Sequence, residues 1–274
     1  MCYGESRFFM IVLRSKSEIE AMRRAGDLVA HALGLLQPHI RPGVRLGELD
    51  RLVEEFIVSE GASTVYKGYQ PSPSVPPFPA TICTAVNEEI VHGIPGSRRL
   101  REGDIVGIDI GAILGGWVGD TCYTFPVGEV SPEAKKLLKV ARECLAAALA
   151  EVRPGKRFGD LGAAIQDLAE SHGYGVVREL GGHGVGRELH EEPHINHFGQ
   201  RGHGMRLREG MTFTIEPMIN AGSPGIRLLK DGWTIITEDR KLSAQYEHTV
   251  AVTAGGCEVL TPWYLYIGEA AEMA

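Results

Sequence analysis

The sequence predicts an α+β fold of two similar halves facing each other across one site, and three observations predict it. Helical and strand-like patterns come in runs rather than in strict alternation, which favours a mixed or antiparallel sheet. The chain also repeats itself. Arg41-Pro42-Gly43-Val44-Arg45-Leu46-Gly47-Glu48-Leu49 returns as Arg153-Pro154-Gly155-Lys156-Arg157-Phe158-Gly159-Asp160-Leu161, and Leu100-Arg101-Glu102-Gly103 returns as Leu207-Arg208-Glu209-Gly210. The offsets are nearly equal and too long for a solenoid, so a half-domain is duplicated, over about 15–128 and 129–253. Third, single acids stand in strand-like runs. Asp109 follows the first Leu-Arg-Glu-Gly copy at the same distance as Glu216 follows the second. Aspartate is a poor strand former and costly to bury unpaired, so such positions call for something to neutralise them.

A chain of 274 residues suits one large domain or two small ones and is long enough for a real core. The formal net charge of -7 argues against wholesale nucleic-acid binding. No apolar run approaches the roughly 18–20 residues of a membrane span. The run Phe8–Leu13 is too short for a signal peptide, ends in Arg14 and lacks a cleavage site. Cys2, Cys83, Cys122, Cys144 and Cys257 are odd in number and scattered, without a CxxC, as in a reducing cytoplasm. A soluble, cytoplasmic protein with no membrane partner is expected.

The elements follow in order. Residues 1–9 read as a disordered extension, with Met10 an equally good start and 10–274 a single catalytic domain; a short strand is expected by residue 14. Ser17-x-x-Glu20 reads as a capping box for a helix whose apolar side is Ile19, Met22, Val29, Leu33 and Leu36. After the Arg41-Pro42-Gly43 turn, Leu49, Leu52, Val53 and Phe56 give a second helix stopping near Gly61. The proline-rich run from Tyr69 to Pro79 reads as a linker or as a semi-rigid loop bordering a pocket. Short strands Thr81–Val86 and Glu89–His92 precede a hairpin of Asp104–Gly111 and Trp117–Tyr123, which carries Asp109 and Asp120. Ser131 and Pro132 open a third helix over Leu138, Ala141, Leu145 and Ala148. A fourth covers Leu161, Ile165 and Leu168 and ends at Gly173. Then come a short strand, a Gly-rich loop with two histidines, the Glu216 strand, Trp233–Thr237 and Ser243–Val252, the last carrying Glu247.

The acids and histidine in strands or Gly-rich turns are Asp109, Asp120, His183, Glu216 and Glu247. Four carboxylates and one imidazole are the ligand set for a pair of hard or borderline dications such as Mn, Fe(II), Co or Zn. Two ions roughly 3.5–4 Å apart need bridging carboxylates and generate a nucleophile from water at neutral pH. Without metal, four like charges in one cavity repel and some must protonate. Glycines around His183 let backbone and substrate approach closely. His190 and His92 stand in comparable turns. The histidines at 31, 172, 194, 197, 203 and 248 read as surface or structural.

Asn87-Glu88-Glu89-x-x-His92-Gly93-Ile94-Pro95, Gly107-Ile108-Asp109, Gly119-Asp120, Gly182-His183-Gly184-x-Gly186-x-x-x-His190-Glu191-Glu192-Pro193, Phe213-Thr214-Ile215-Glu216-Pro217 and Gln245-Tyr246-Glu247-His248-Thr249 resemble the motifs of methionine aminopeptidase, type I, in order and over nearly the whole chain. The short interval between His190 and Glu216 lacks the insertion of type II members. No eukaryotic-type N-terminal extension is present, so the bacterial type fits best. Proline-specific relatives of the same fold carry a sizeable extra N-terminal domain, and inactive relatives lose metal ligands, whereas all five candidates stand here.

The resemblance implies the pita-bread fold, two pseudo-symmetric halves with a curved, mostly antiparallel sheet around a dinuclear metal site. It implies removal of the initiator methionine from nascent chains when the second residue is small. Asp109 would hold one ion, His183 and Glu216 the other, and Asp120 and Glu247 would bridge both. A hydroxide held by the metals would attack the first peptide bond, with Glu216 shuttling the proton, His190 stabilising the oxyanion and His92 bonding the substrate backbone. The methionine pocket would draw on Tyr69, Phe78, Cys83, Met218 and Trp233, since aromatics and sulfur suit a thioether. A monomer, contact with the ribosome near the exit tunnel and a monovalent-cation site near Asn87 and Ser243 are further implications. Two departures bear on the pocket. The chain is longer between Tyr69 and Phe78 than the shortest members, and Leu189 stands where an aromatic is common.

Overall fold

The computed structural model describes residues 11–268. Two helix pairs, each followed by antiparallel strands, make up the chain. In the first half these are α1 (Lys16–Leu36) and α2 (Leu46–Ser59), then β1 (Ser63–Thr64), β2 (Ile82–Val86), β3 (Glu89–Val91), β4 (Ile105–Leu114) and β5 (Trp117–Pro126). The second half opens with α3 (Pro132–Glu151) and α4 (Phe158–Ser171), then β6 (Gly175–Val176), β7 (Gly181–Gly184), β8 (Glu191–Asn196), β9 (Thr212–Ile215) and β10 (Met218–Asn220). It closes with β11 (Ile226–Leu228), β12 (Ile235–Thr237), β13 (Ser243–Gln245), β14 (His248–Thr253) and β15 (Gly256–Val259).

The helices bury the faces their periodicity marks: Ile19, Met22, Val29, Leu33 and Leu36 in α1, and Leu138, Ala141, Leu145 and Ala148 in α3. Ser131 caps α3 by accepting the Ala134 N–H, with Pro132 in the first turn. The cap of α1 differs from expectation. Ser15, not Ser17, accepts the Glu18 N–H, and Glu18 reaches back to the Ser15 N–H at 2.8 Å. The Ser-x-x-Glu spacing occurs in both registers, and the upstream one takes the cap. Residues 11–15 form no strand, and the rest of the expected extension lies outside the described residues.

Strand pairing is antiparallel throughout, divided among four sheets: β1-β4-β2 with β5 on β4, β13-β10-β6, β11-β12-β3, and β15-β14-β9-β7-β8. The division has a local cause. β9 pairs with β14, and β10 with β13, so these four strands would be one long hairpin but for paired breaks at Glu216-Pro217 and Tyr246-Glu247. Pro217 has no N–H to give. The Glu216 N–H instead donates to His197 Nε2, and the Glu247 N–H to the carbonyl of Cys122 on β5. Both acids, expected inside strands, therefore sit in the gaps between them.

The same turn geometry serves both halves. Gly43 and Gly155 have φ of +91°, and an isolated bridge joins Arg45 to Arg99 as another joins Arg157 to Arg206. Helix α1 lies flat on β5, where a Cβ on Gly119 would come within 2.2 Å of the Ala25 carbonyl oxygen. One large apolar cluster runs between the helices and strands of both halves, and a second, with Tyr66, Phe78, Cys83, Leu189 and Trp233, lines the site.

Candidate metal centre

Asp109 and Asp120 lie diagonally across the β4–β5 hairpin, two strand positions out of register, since Asp109 pairs with Cys122 and Asp120 with Gly111. Side chains alternate along a strand, so both carboxylates leave by the same face. β7 brings His183 toward them. Its Cα partner on β8 is His194, and its N–H donates to Thr214 Oγ1 on β9 at 3.0 Å. Glu216 and Glu247 close the ring from the two hairpin breaks.

All five side chains line a single cavity of about 310 Å³. Ligand-capable atoms of Asp120, His183 and Glu247 lie within 4.8 Å of one another. His183 Nε2 is 3.6 Å from Asp120 Oδ2 and 3.6 Å from Glu216 Oε1. Thr214 Oγ1 donates to Glu216 Oε1 at 2.8 Å, and Gln245 Nε2 to its Oε2 at 3.2 Å.

The hydrogen bonding fits a cation. His183 Nδ1 lies 3.0 Å from the Gly184 carbonyl, which can only accept, so the ring proton is on Nδ1. The Nε2 lone pair then faces two carboxylates, acceptor against acceptors. Tyr66 Oη contacts both Asp109 Oδ1 and Asp120 Oδ1, and one phenolic proton cannot serve both. Positive charge among these atoms relieves the facing lone pairs, as protons kept by the buried acids do in its absence, and the oxygen-rich donor set with one imidazole suits borderline divalent ions. Burial, reinforced by mutual repulsion, pushes Asp109 and Glu247 well above the usual carboxylate range. Burial does the same to Glu216 and lifts Asp120 to about 6. Packing around their rings pulls His92, His183 and His190 down to about 4, so all three are neutral at pH 7.

The remaining expected residues border the same cavity. Phe78, Cys83, Met218 and Trp233 form its buried wall, where Phe78 meets Trp233 edge to face at 5.1 Å. Leu189 completes that wall with an aliphatic side chain. Tyr69 Oη lies 2.7 Å from His190 Nδ1, and the His190 ring packs on His183 at 4.3 Å between centroids. His92 adopts φ +59°, a left-handed conformation that costs a non-glycine residue about 1–2 kcal/mol. The proline-rich segment is a loop on the rim. Its base is closed by the Phe78 N–H donating to the Tyr69 carbonyl, and Trp233 Nε1 donates to the Pro76 carbonyl at 2.9 Å. Asn87 and Ser243 also meet, the Ser243 N–H donating to the Asn87 carbonyl at 2.8 Å.

Some expectations change here. Part of the presumed Gly-rich loop, Gly181–Gly184, is strand β7, since glycine lets it pack within touching distance of its neighbours: a Cβ on Gly182 would lie 2.3 Å from the Thr214 carbonyl oxygen. His194 is exposed, as expected, and stands at the edge of the cavity. His197 is 1% exposed and holds the Glu216 backbone. Tyr66, Thr214 and Gln245 contact the ligand set although nothing singled them out. The one signal for Thr214 and Gln245 was their place two residues before Glu216 and Glu247.

The model of metallopeptidase family M24 matches residues 20–254. The chain is 48% identical over 252 residues to methionine aminopeptidase B of Synechocystis sp., covering 92% of each chain. It is 47% identical over 252 residues to methionine aminopeptidase 1 of Bacillus subtilis, covering 92% of this chain and 99% of that one. Among solved structures, methionine aminopeptidase from Rickettsia prowazekii shares the fold with a TM-score of 0.89 at 43% identity, covering 92% of this chain and 100% of that one. The pita-bread architecture implied by the motifs is the fold observed. With its fold, its metal-ready ligand cluster and these likenesses taken together, the chain belongs to metallopeptidase family M24, among the methionine aminopeptidases.

Proposed function

We propose that this chain removes the N-terminal methionine from peptides and nascent proteins whose second residue is small. The observation that carries the reading is one cavity with two chemistries: four carboxylates and an imidazole converge in it, and sulfur and aromatic side chains line it beside them. Asp109, Asp120, His183, Glu216 and Glu247 would hold two divalent ions, Co, Mn, Fe(II) or Zn. When bound, such ions polarise a carbonyl and make water a nucleophile at neutral pH.

The chain's own groups do the rest. Phe78, Cys83, Met218, Trp233 and Tyr69 take the methionine side chain, whose thioether gains from ring edges. His92 bonds the substrate backbone. Tyr69 donates to His190 Nδ1, which leaves the proton on Nε2 to meet the oxyanion as it develops. Glu216 would pass the proton taken from the attacking water to the leaving amine. The rim of Tyr69 and Pro71 limits the second residue.

The chain would act as a monomer in the cytoplasm on chains emerging near the ribosomal exit tunnel. Described cysteines Cys83, Cys122, Cys144 and Cys257 are free thiols, as a reducing compartment allows, and no described helix is long and apolar enough to cross a membrane. Residues 10–274 would form one catalytic domain, duplicated over about 15–128 and 129–253, with the shared Gly43 and Gly155 geometry in support.

The test is hydrolysis of Met-Gly-Met-Met by metal-stripped protein with and without Mn(II) or Co(II), beside Ala-Pro and Met-Lys peptides. Metal-dependent release of methionine, only ahead of a small residue, is expected. Cleavage of Ala-Pro instead would overturn the reading.

A further inference from the structure

Arg14 precedes α1 in sequence yet is 8% exposed. Its backbone N–H donates to the Gly210 carbonyl at 2.7 Å, and its guanidinium pairs with Glu191 Oε2. Among the described residues Arg14 Nε has no hydrogen-bond partner, and its guanidinium is met by the Glu191 carboxylate and by the Trp117 ring, 5.3 Å away.

Glu191 directly follows His190. Its other oxygen accepts the Arg187 N–H at 2.8 Å and the Glu188 N–H at 3.3 Å, so one carboxylate ties the start of the turn to its end. The Arg187 guanidinium covers Trp117 at 3.8 Å from the opposite end of the turn. At Gly186 a Cβ would fall 2.0 Å from Arg14 Nη2, so the guanidinium packs directly on the turn's backbone. The turn that presents His190 is thus gripped by a residue from the far end of the chain.

We propose that Arg14 and Glu191 are positioning residues for His190, holding its imidazole where it meets Tyr69 and His183. The assignment rests on the reading that His190 acts on substrate. Their effect is on geometry, and misplacement by about 1 Å can cost about a hundredfold in rate.

The experiment compares Arg14→Ala, Arg14→Lys and Glu191→Gln with the unaltered protein, each loaded with Mn(II), on Met-Gly-Met-Met. Arg14→Ala and Glu191→Gln are expected to lower kcat by about ten- to a hundredfold with KM within about twofold, and Arg14→Lys to recover most of the loss. Mn(II) affinity by calorimetry stays unchanged. In a His190→Ala background, Arg14→Ala adds less than about twofold, because it acts through the missing ring. An unchanged kcat in Arg14→Ala, or a full additional penalty on top of His190→Ala, overturns the proposal. If the unaltered protein hydrolyses no methionyl peptide, the functional reading alone fails. The clamp is then decided by amide exchange over residues 186–191: at least about tenfold faster in Arg14→Ala supports it, and unchanged exchange overturns it.

Discussion

The phenolic oxygen of Tyr66 lies 2.6 Å from Asp109 Oδ1 and also touches Asp120, so a single hydroxyl is the shared partner of two buried acids. This group competes with any cation for the same oxygens. Tyr66→Phe removes the competitor and leaves the metal-free carboxylates without their donor, a loss of about 1–3 kcal/mol for a buried acceptor. Metal-free Tyr66→Phe protein is therefore expected to melt lower than the parent, while the first Mn(II) ion binds more tightly, by about tenfold per 1.4 kcal/mol of relieved strain. Calorimetric titration with parallel melts decides it; weaker binding in the variant refutes the competition.

His183→Ala should abolish metal-dependent hydrolysis and leave the fold intact. The imidazole lone pair faces two acidic side chains in the metal-free protein, and relief of that contact offsets the one local bond lost, from Nδ1 to the Gly184 carbonyl 3.0 Å away. A fall of more than about a hundredfold in kcat/KM is expected, with a metal-free melt no lower than the parent's. Full activity in the variant would refute the ligand assignment.

Metal and pH should act together on stability. Asp109, Glu216 and Glu247 are raised well above their ordinary values, chiefly by burial. A carboxyl raised in the folded state keeps a proton there that it loses on unfolding, so stability falls as pH rises through that interval. His92, His183 and His190 work in the other direction. Lowered to about 4 from 6.5, they remove stability only as pH drops below 6.5. Well above pH 6.5 the histidines no longer titrate in either state, and the thiols of Cys83, Cys122, Cys144 and Cys257, also raised by burial, add an effect of the carboxyls' sign as pH nears 9. Metal-free protein is expected to lose stability as pH rises above the ordinary carboxylate range, by about 1.4 kcal/mol per unit for each proton retained. Bound Mn(II) should remove the carboxyl part of that slope; an EDTA-treated sample with the same profile as the Mn(II)-loaded one contradicts the prediction.

His92 stores backbone strain in its left-handed conformation. Both His92→Ala and His92→Gly remove the imidazole and should cost comparable activity. They should differ in stability, with the glycine variant about 1 kcal/mol more stable because φ near +59° is free to it. Equal melting temperatures would show that the strain is absent in solution.

Much of this was legible because the chemistry contradicts the local structure. Asp109 and Asp120 are conspicuous in apolar strands, and the repeated Leu-Arg-Glu-Gly pointed to Glu216. What stayed hidden depends on encounters between distant segments. Nothing near Tyr66 in sequence marks it as the partner of Asp109 and Asp120, and His197 becomes important only where the Glu216 N–H has lost its strand partner to a break. The breaks themselves were missed because periodicity reads through them: Ser243–Val252 alternates like one strand, although Tyr246 and Glu247 leave the ladder. The choice between Ser15 and Ser17 as cap was ambiguous by spacing alone.

The paired breaks also bear on how the protein comes into being. Glu247 is presented by an amide bond to Cys122, and Glu216 by one to His197, so each acid is aimed by a segment outside its own strand. A chain still under synthesis and not yet extended past β13 lacks one acid and β14, the strand that pairs with β9. The five-residue cluster can therefore be complete only once the chain has emerged past Glu247, so nothing that needs all five side chains can be held before both halves are out.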